Sequence, residues 1–314
     1  MSIPKGYLIR LIWLLIVSIC IPLKTLWGQH HLIRPHDAGN YTSLFYIRDV
    51  SDGPLHNHPG FDTFSQNTDG MFFTVMYPGK TMGAGISIAY LNRAITLRNA
   101  AGKLENHSLT GWGDLSLVAK YRFGIYKKFS FQGKKRLLKA VVCLISSLKL
   151  PTATATGYDS GGKRFSPPLS LGNKATEFSF GFAFHTDTQK YFRIHGHLSA
   201  TFPLKYAQFN PGKSLHYNLT YIPVHLGIKN FLYPEIGIKG IWHGKHAMNG
   251  VEVSDSGGSQ LMLALGMSSV WLYLGNSRIF TMLEITAMLP IHDTFHYGQA
   301  LSSGILGGIR FFRR

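Results

Sequence analysis

Long stretches of this chain alternate, residue by residue, between apolar and polar or small side chains. The clearest covers 177–185: Phe178, Phe180, Phe182 and Phe184 share one parity, and Glu177, Ser179, Gly181, Ala183 and His185 the other. Successive side chains on a β-strand point to opposite faces, so this stretch has one oily face and one polar or small face. The next stretch repeats the arrangement, with Phe192, Ile194, Leu198, Ala200 and Phe202 against Tyr191, Arg193, His195, His197 and Ser199. Between Asp114 and Phe123, the apolar parity of Leu115, Leu117, Ala119, Tyr121 and Phe123 opposes Asp114, Ser116, Lys120 and Arg122. A helix repeats its apolar face every three or four residues, so helix does not fit.

Twelve segments read as strands: 41–48, 69–78, 82–96, 112–125, 137–150, 175–187, 190–204, 213–226, 229–243, 258–274, 278–290 and 301–313. Several exceed the usual strand of a soluble sandwich. They suit a tilted membrane-crossing strand of about 9–11 residues plus an extension beyond the bilayer. The connections alternate in length. Pro78-Gly79-Lys80-Thr81, Thr188-Gln189, Gly227-Ile228 and Gly275-Asn276-Ser277 are short and rich in turn residues. The segments 97–111, 151–174, 244–257 and 291–300 are long, and 126–136 is of medium length with Lys127, Lys128, Lys134, Lys135 and Arg136. Outer-membrane barrels join neighbours by short periplasmic turns and longer outer loops, and an even strand count leaves both termini periplasmic.

The expected fold is therefore all-β: a transmembrane antiparallel up-and-down β-barrel of about 12 strands. In hydrocarbon every backbone amide must be paired internally, and only a closed sheet has no edge. Tyr77, Tyr121, Phe123, Tyr191, Phe202, Tyr221, Trp242, Trp271 and Tyr273 lie near strand ends, where headgroup-level girdles are expected. A secreted soluble all-β binding module is the competing fold-level reading, and it gives no reason for the alternation of loop lengths.

Residues 1–28 have the parts of a cleaved signal peptide: Lys5 and Arg10, an apolar run over 11–21, and Gly28 before Gln29. The run is about half the length a spanning helix needs. Cys20 follows Val17-Ser18-Ile19, and Ile19 is larger than a lipoprotein cleavage site accepts. Residues 29–40 are read as a periplasmic tail and 41–314 as the barrel. The chain carries a formal net charge of +17. Export argues against nucleic acid as the partner of that charge, leaving outer-membrane lipid and lipopolysaccharide headgroups. Beyond the leader only Cys143 remains, so no internal disulfide is expected. Oligomeric state is not legible.

The face opposite the oily one carries Asp114, Lys120, Arg122, Lys139, Lys149, Glu177, Arg193, His195, His197, Glu235, Lys239, Glu284 and Arg310. Mixed charge there fits either a salt-bridged filling or a lining that selects what passes. Twelve strands lie between a barrel filled by side chains and one with a wide aqueous channel. A modest lumen partly occupied by loops such as 151–174 is expected. No Gly-x-Ser-x-Gly or comparable pattern marks a nucleophile, so an enzyme is not expected. His30, His31, His36, His56 and His58 lack the spacing and partners of a zinc site and read as a solvated tail. No cofactor is expected.

Gly113-Asp114-Leu115-Ser116-Leu117-Val118-Ala119-Lys120-Tyr121-Arg122-Phe123 resembles a strand signature of the outer-membrane transporter-like family named after the meta-pathway of phenol degradation. Leu148-Lys149-Leu150-Pro151-Thr152 is similar to that family's Lys-Leu-Pro-Thr-Gly, with Ala153 in place of the glycine. Pro234-Glu235-Ile236-Gly237-Ile238-Lys239 and the Gly-rich strand 304–312 are similar in kind, so the resemblance covers roughly 110–313. Where such barrels end on an aromatic residue, Phe311 and Phe312 are here followed by Arg313 and Arg314. The resemblance implies an outer-membrane β-barrel passing small, often aromatic or hydrophobic, molecules. A plugged structural or adhesive barrel, whose long loops bind a partner, is the alternative.

Overall fold

The computed structural model describes residues 40–54, 63–78, 81–99, 101–131, 134–153, 171–172, 174–188, 191–205, 209–227, 232–253, 256–269, 272–273, 279–294 and 301–313. The signal-peptide reading and all but the last residue of the proposed tail lie outside them. The strands are β1 (Asn40–Pro54), β2 (Thr63–Pro78), β3 (Met82–Arg98), β4 (Leu104–Trp112), β5 (Leu115–Phe131), β6 (Lys134–Leu150), β7 (Glu177–Asp187) and β8 (Phe192–Pro203). They continue with β9 (Phe209–Asn210), β10 (Ser214–Pro223), β11 (Leu232–His243), β12 (Ala247–Met248), β13 (Val251–Glu252), β14 (Gly258–Ser269), β15 (Leu272–Tyr273), β16 (Ile279–Asp293) and β17 (Leu301–Arg313).

Hydrogen bonding runs β1-β2-β3-β5-β6-β7-β8-β10-β11-β14-β16-β17 and returns to β1, a closed antiparallel barrel of 12 strands. Asn40 pairs with Arg313, so both described ends of the chain lie at the end where the short turns are. We call this the turn end, and the opposite rim the loop end.

The outer wall explains the oily parity. Val75, Tyr77, Ile86, Leu117, Tyr121, Leu144, Phe178, Phe180, Phe182, Leu219, Ile236, Ile238, Leu265 and Ile285 are all exposed, while their sequence neighbours point into the barrel. A soluble protein seldom leaves so large a contiguous apolar surface uncovered. Facing lipid, the same surface is stable because the backbone behind it is fully paired within the sheet.

Three expected connections are instead strand. Residues 97–111 contain the end of β3, a tight turn and β4, whose partners run from Tyr90↔Trp112 to Arg98↔Leu104. β4 and β5 are one long wall strand interrupted at Gly113-Asp114, because β3 pairs with Trp112 at Tyr90 and with Ser116 at Ser87. The extra residue is a bulge, which bends the strand and re-aims a side chain. The medium connection 126–136 is likewise strand, with β5 and β6 pairing up to Phe131↔Lys134. At the other end of the first loop, β1 and β2 pair as far as Pro54↔Thr63. Conversely, the strand expected over 213–226 stops at Pro223 and gives way to a short 3-10 turn, Val224–Leu226.

Along the β1–β4 extension the alternation persists but its polarity inverts. Tyr90, Trp112 and Phe73 form an aromatic band on the outside, with ring centroids 5.2 Å and 6.4 Å apart for Tyr90–Trp112 and Phe73–Trp112. Beyond it towards the loop end the outer face is polar. Thr110 donates to Asn92 Oδ1 at 2.9 Å, Tyr46 donates to Asp69 Oδ1 at 2.8 Å, and Arg48 pairs with Asp69 at 3.4 Å. The inner face there is mostly apolar, interrupted by buried Gln66, Thr68 and Arg93: Phe45, Phe72, Ala89, Leu91, Ile95, Leu97, Leu109, Ala153, Leu171 and Leu306 form one buried cluster. The band marks the edge of the hydrocarbon. Above it water is outside, and the greasy side chains turn inward.

The long segment 244–257, expected as a loop, carries a further hairpin. β12 and β13 join through Asn249 and Gly250, with φ of 55° and 82°. Two consecutive positive φ values define the two-residue turn that matches strand twist, and Asn-Gly is its preferred sequence. β9 adds to β12, giving a three-stranded flap at the loop end.

Candidate functional site

The barrel interior gathers the charged residues singled out in the sequence. Asp114, Lys120, His195, His197, Glu235 and Lys239 are buried, and Arg122, Lys149, Glu177, Arg193 and Glu284 are half-buried on the inward parity. Lys139 and Arg310 lie on strands at inward register positions, beside Asp187 and Ser43, but their side chains are outside the described set. Sequence reading had left out Arg93, Gln66, Gln260, His216 and Asn218, which also face inward. Arg93 Nε and Gln66 Nε2 both donate to Thr68 Oγ1 at 3.2 Å. Arg93 stands among Leu91, Ile95 and Leu97, and that apolar context hid it.

Three features organise this interior. The first is a lock at the loop end. The bulge aims Asp114 inward, where Oδ1 accepts from the Ala153 amide at 3.0 Å and Oδ2 lies 3.7 Å from Lys149 Nζ. Lys149 is 2.8 Å from Glu177, and the Leu115 amide donates to Thr152 Oγ1 at 2.8 Å. The Gly-Asp and Lys-Leu-Pro-Thr stretches, separate in sequence, thus meet. Gly172 lies against them: a Cβ there would come 2.6 Å from Asp114 carboxylate oxygens and 2.7 Å from Ala153 Cβ. With Leu171 buried beside it, the far end of the 151–176 connection is folded into the mouth. Replacing Lys149 with methionine leaves two carboxylates facing each other without their shared cation. The expected result is a loss of about 1–3 kcal/mol, read as a lower denaturant midpoint for the vesicle-folded barrel.

The second feature is the apolar cluster described above, which fills the loop-end half of the lumen on the β1–β3 side. The Phe45 ring lies over Gly308, so any Cβ at that glycine would overlap it. The third is a polar sector on β7, β8, β10 and β11. Ser179 and Thr201 share a hydroxyl hydrogen bond at 2.8 Å, His185 Nδ1 is 3.2 Å from His195 Nδ1, and Ser214 Oγ is 3.0 Å from His216 Nε2. His216, Asn218 and Thr220 on β10 are only half-buried, so solvent reaches this wall along its length. Met262, Ala264 and Met288 on β14 and β16, next around the barrel, are dry. Among the described residues no group of three or more His, Cys, Asp or Glu side chains is arranged to hold a metal ion. The crowded histidines His30, His31, His36, His56 and His58 lie outside the described residues.

The fold has solved counterparts. An outer membrane channel from Pseudomonas putida F1 superposes with a TM-score of 0.57 at 13% identity, covering 92% of this chain and 99% of that one. The transport unit of the autotransporter AIDA-I from Escherichia coli gives 0.49 at 12% identity, with 100% of both chains covered. The β domain of the Bordetella autotransporter Brka gives 0.46 at 10% identity, covering 88% of this chain and 100% of that one. At such identities the first likeness establishes the architecture: this is the fold of an outer-membrane β-barrel. No protein-family model matches the chain, and no curated protein matches it.

Proposed function

We propose that the protein sits in the bacterial outer membrane after cleavage of its leader and serves as a passive channel for small aromatic or otherwise hydrophobic molecules. The observation that carries this reading is the two-natured lumen. A half-buried polar wall on β10 runs beside dry apolar patches, rather than one uniform packed core. Such a lining offers a path along which a small solute exchanges water for matched contacts, without a cofactor or an energy source. The printed description of the Pseudomonas putida barrel as a channel supports the same reading. The motif resemblance to the phenol meta-pathway family supports the solute class, since both of its best motifs build the loop-end lock. Lipid and lipopolysaccharide would surround the wall, and the chain would have no catalytic role and no nucleic-acid partner.

The apolar cluster at the loop end favours a second reading, a plugged structural or adhesive barrel whose loops bind a partner. Conductance of the refolded mature chain in a planar bilayer separates the two. For a channel, charge reversal at Glu177, Glu235 or Glu284 should shift the reversal potential in a salt gradient towards anions. Unchanged selectivity across all three would reject a conducting lumen.

A further inference from the structure

Histidines converge on one sector of the inner wall: His185 on β7, His195 and His197 on β8, His216 on β10, and His243 at the end of β11. These strands are consecutive around the barrel. One circumferential row, set by register, reads Ala183, His197, Asn218, Lys239, Met262. The next row towards the turn end reads Val141, His185, His195, Thr220, Gly237, Ala264, Met288. Each row is basic or polar in the middle and apolar or small at both flanks. The flanks belong to two dry clusters, one with Val141, Cys143, Ile145 and Ala183, the other with Met262, Ala264 and Met288.

The charges facing the sector leave it basic. Lys239 comes from β11 and stands beside His197 across Asn218. Glu235 on β11 and Arg193 on β8 both lie towards the turn end and offset one another in sign; Arg193 stacks over the Tyr233 ring at 5.2 Å. Glu177 on β7 is engaged by Lys149 of β6 at the loop end. Lys120 and Arg122 face inward from β5 and Glu284 from β16, while β14 contributes neutral Gln260, whose Nε2 donates at 3.2 Å to Asp293 of β16, one row towards the loop end. Within the sector the His185–His195 contact is itself proton-dependent. With Nδ1 atoms 3.2 Å apart and ring centroids 4.5 Å apart, one ring donates and the other accepts. A second proton sets two N–H donors against each other, and the arrangement then requires an acceptor between them.

We propose that this sector is a binding site for a small aryl carboxylate, occupied when His195 and His197 are protonated and emptied as they become neutral. The carboxylate accepts from His195, His197 and Lys239, and the ring wedges towards the Met262–Met288 patch, whose side chains, 0% and 2% exposed, must give way to receive it. This deepens the channel reading and rests on it for its biological meaning, but the site is testable without conduction. Imidazole titrates between the pH of an acidified and a neutral medium, whereas an aryl carboxylate stays ionised throughout.

The test is calorimetric titration of the refolded full-length mature barrel in detergent with benzoate at pH 5.5 and 7.5. Benzyl alcohol and inorganic phosphate are titrated beside it. Benzoate should bind roughly tenfold more tightly at the lower pH, the change in protonated fraction of an ordinary imidazole. A His195→Gln/His197→Gln double variant, with folding verified by heat-modifiable mobility, should lose that pH dependence. Benzoate binding that is absent or equal at the two pH values in the wild-type barrel overturns the site, whether or not the variant folds. Phosphate or benzyl alcohol binding as well as benzoate overturns the ligand class. Conductance, measured in parallel, bears on the other question: pH-dependent binding without conductance keeps the site and rejects the channel.

Discussion

Arginine in place of Ile238 should destabilise the bilayer-folded barrel by about 2–4 kcal/mol, the cost of a charge near the membrane midplane. Ile238 is mid-way along β11, exposed on the outer wall, and paired across the sheet with Leu219 and Leu263. Arginine at Asn218, on the neighbouring strand but facing the half-wet lumen, should cost less, because water reaches that wall and solvates the charge even with Lys239 beside it. The measurement is guanidinium unfolding from lipid vesicles for both variants. Equal losses at the two positions would contradict the assignment of outer wall and lumen. A soluble barrel would show the opposite order, since an exposed arginine at Ile238 would then be harmless.

Removing the aromatic pair Phe45 and Phe72, as a double alanine variant, should raise single-channel conductance several-fold. Both rings are buried in the inward cluster at the loop end, where Ile95 and Leu97 are also sealed from solvent. Truncation of each ring removes a large volume, at a stability cost of about 3–5 kcal/mol for a well-packed site. Gly308→Ala probes the same barrier from the other side, because the new methyl group must displace the Phe45 ring lying over it. Both changes should therefore alter conductance, the alanine pair more. If the folded double variant conducts no better than the wild type, the apolar cluster is not what closes the lumen.

Much of this was legible in the chain. The period-two pattern of β7 and β8 identified strands and put Glu177, His195 and His197 on the face opposite the phenylalanines, because alternate side chains on a strand point to opposite faces. The alternation of connection lengths correctly implied a closed up-and-down barrel. The stretch 97–111 was misread because its Gly, Asn, His and Ser content is typical of loops. Above the bilayer a strand pair needs no apolar outer face, and its residues pair with one another instead, as Thr96 does with Asn106 at 2.8 Å. The lock was invisible for a different reason. Asp114, Lys149 and Glu177 are far apart in sequence, and their meeting depends on a bulge and on the register of two strand pairs.

The sequence by itself determined that two chemically distinct faces run the length of most strands, and that neighbouring strands are antiparallel. Alternation is symmetric between the faces, however, and says nothing about which one meets lipid, water or another side chain at a given height. That was decided by closure of the sheet and by the position of the Tyr90–Trp112 band. Below it hydrocarbon demands the greasy parity outside; above it water does not, and Phe45, Leu91, Ile95 and Leu97 pack within. Register decided the rest, bringing His185 to His195 and Lys239 beside Met262, because only the turns and bulges fix which residues stand opposite one another.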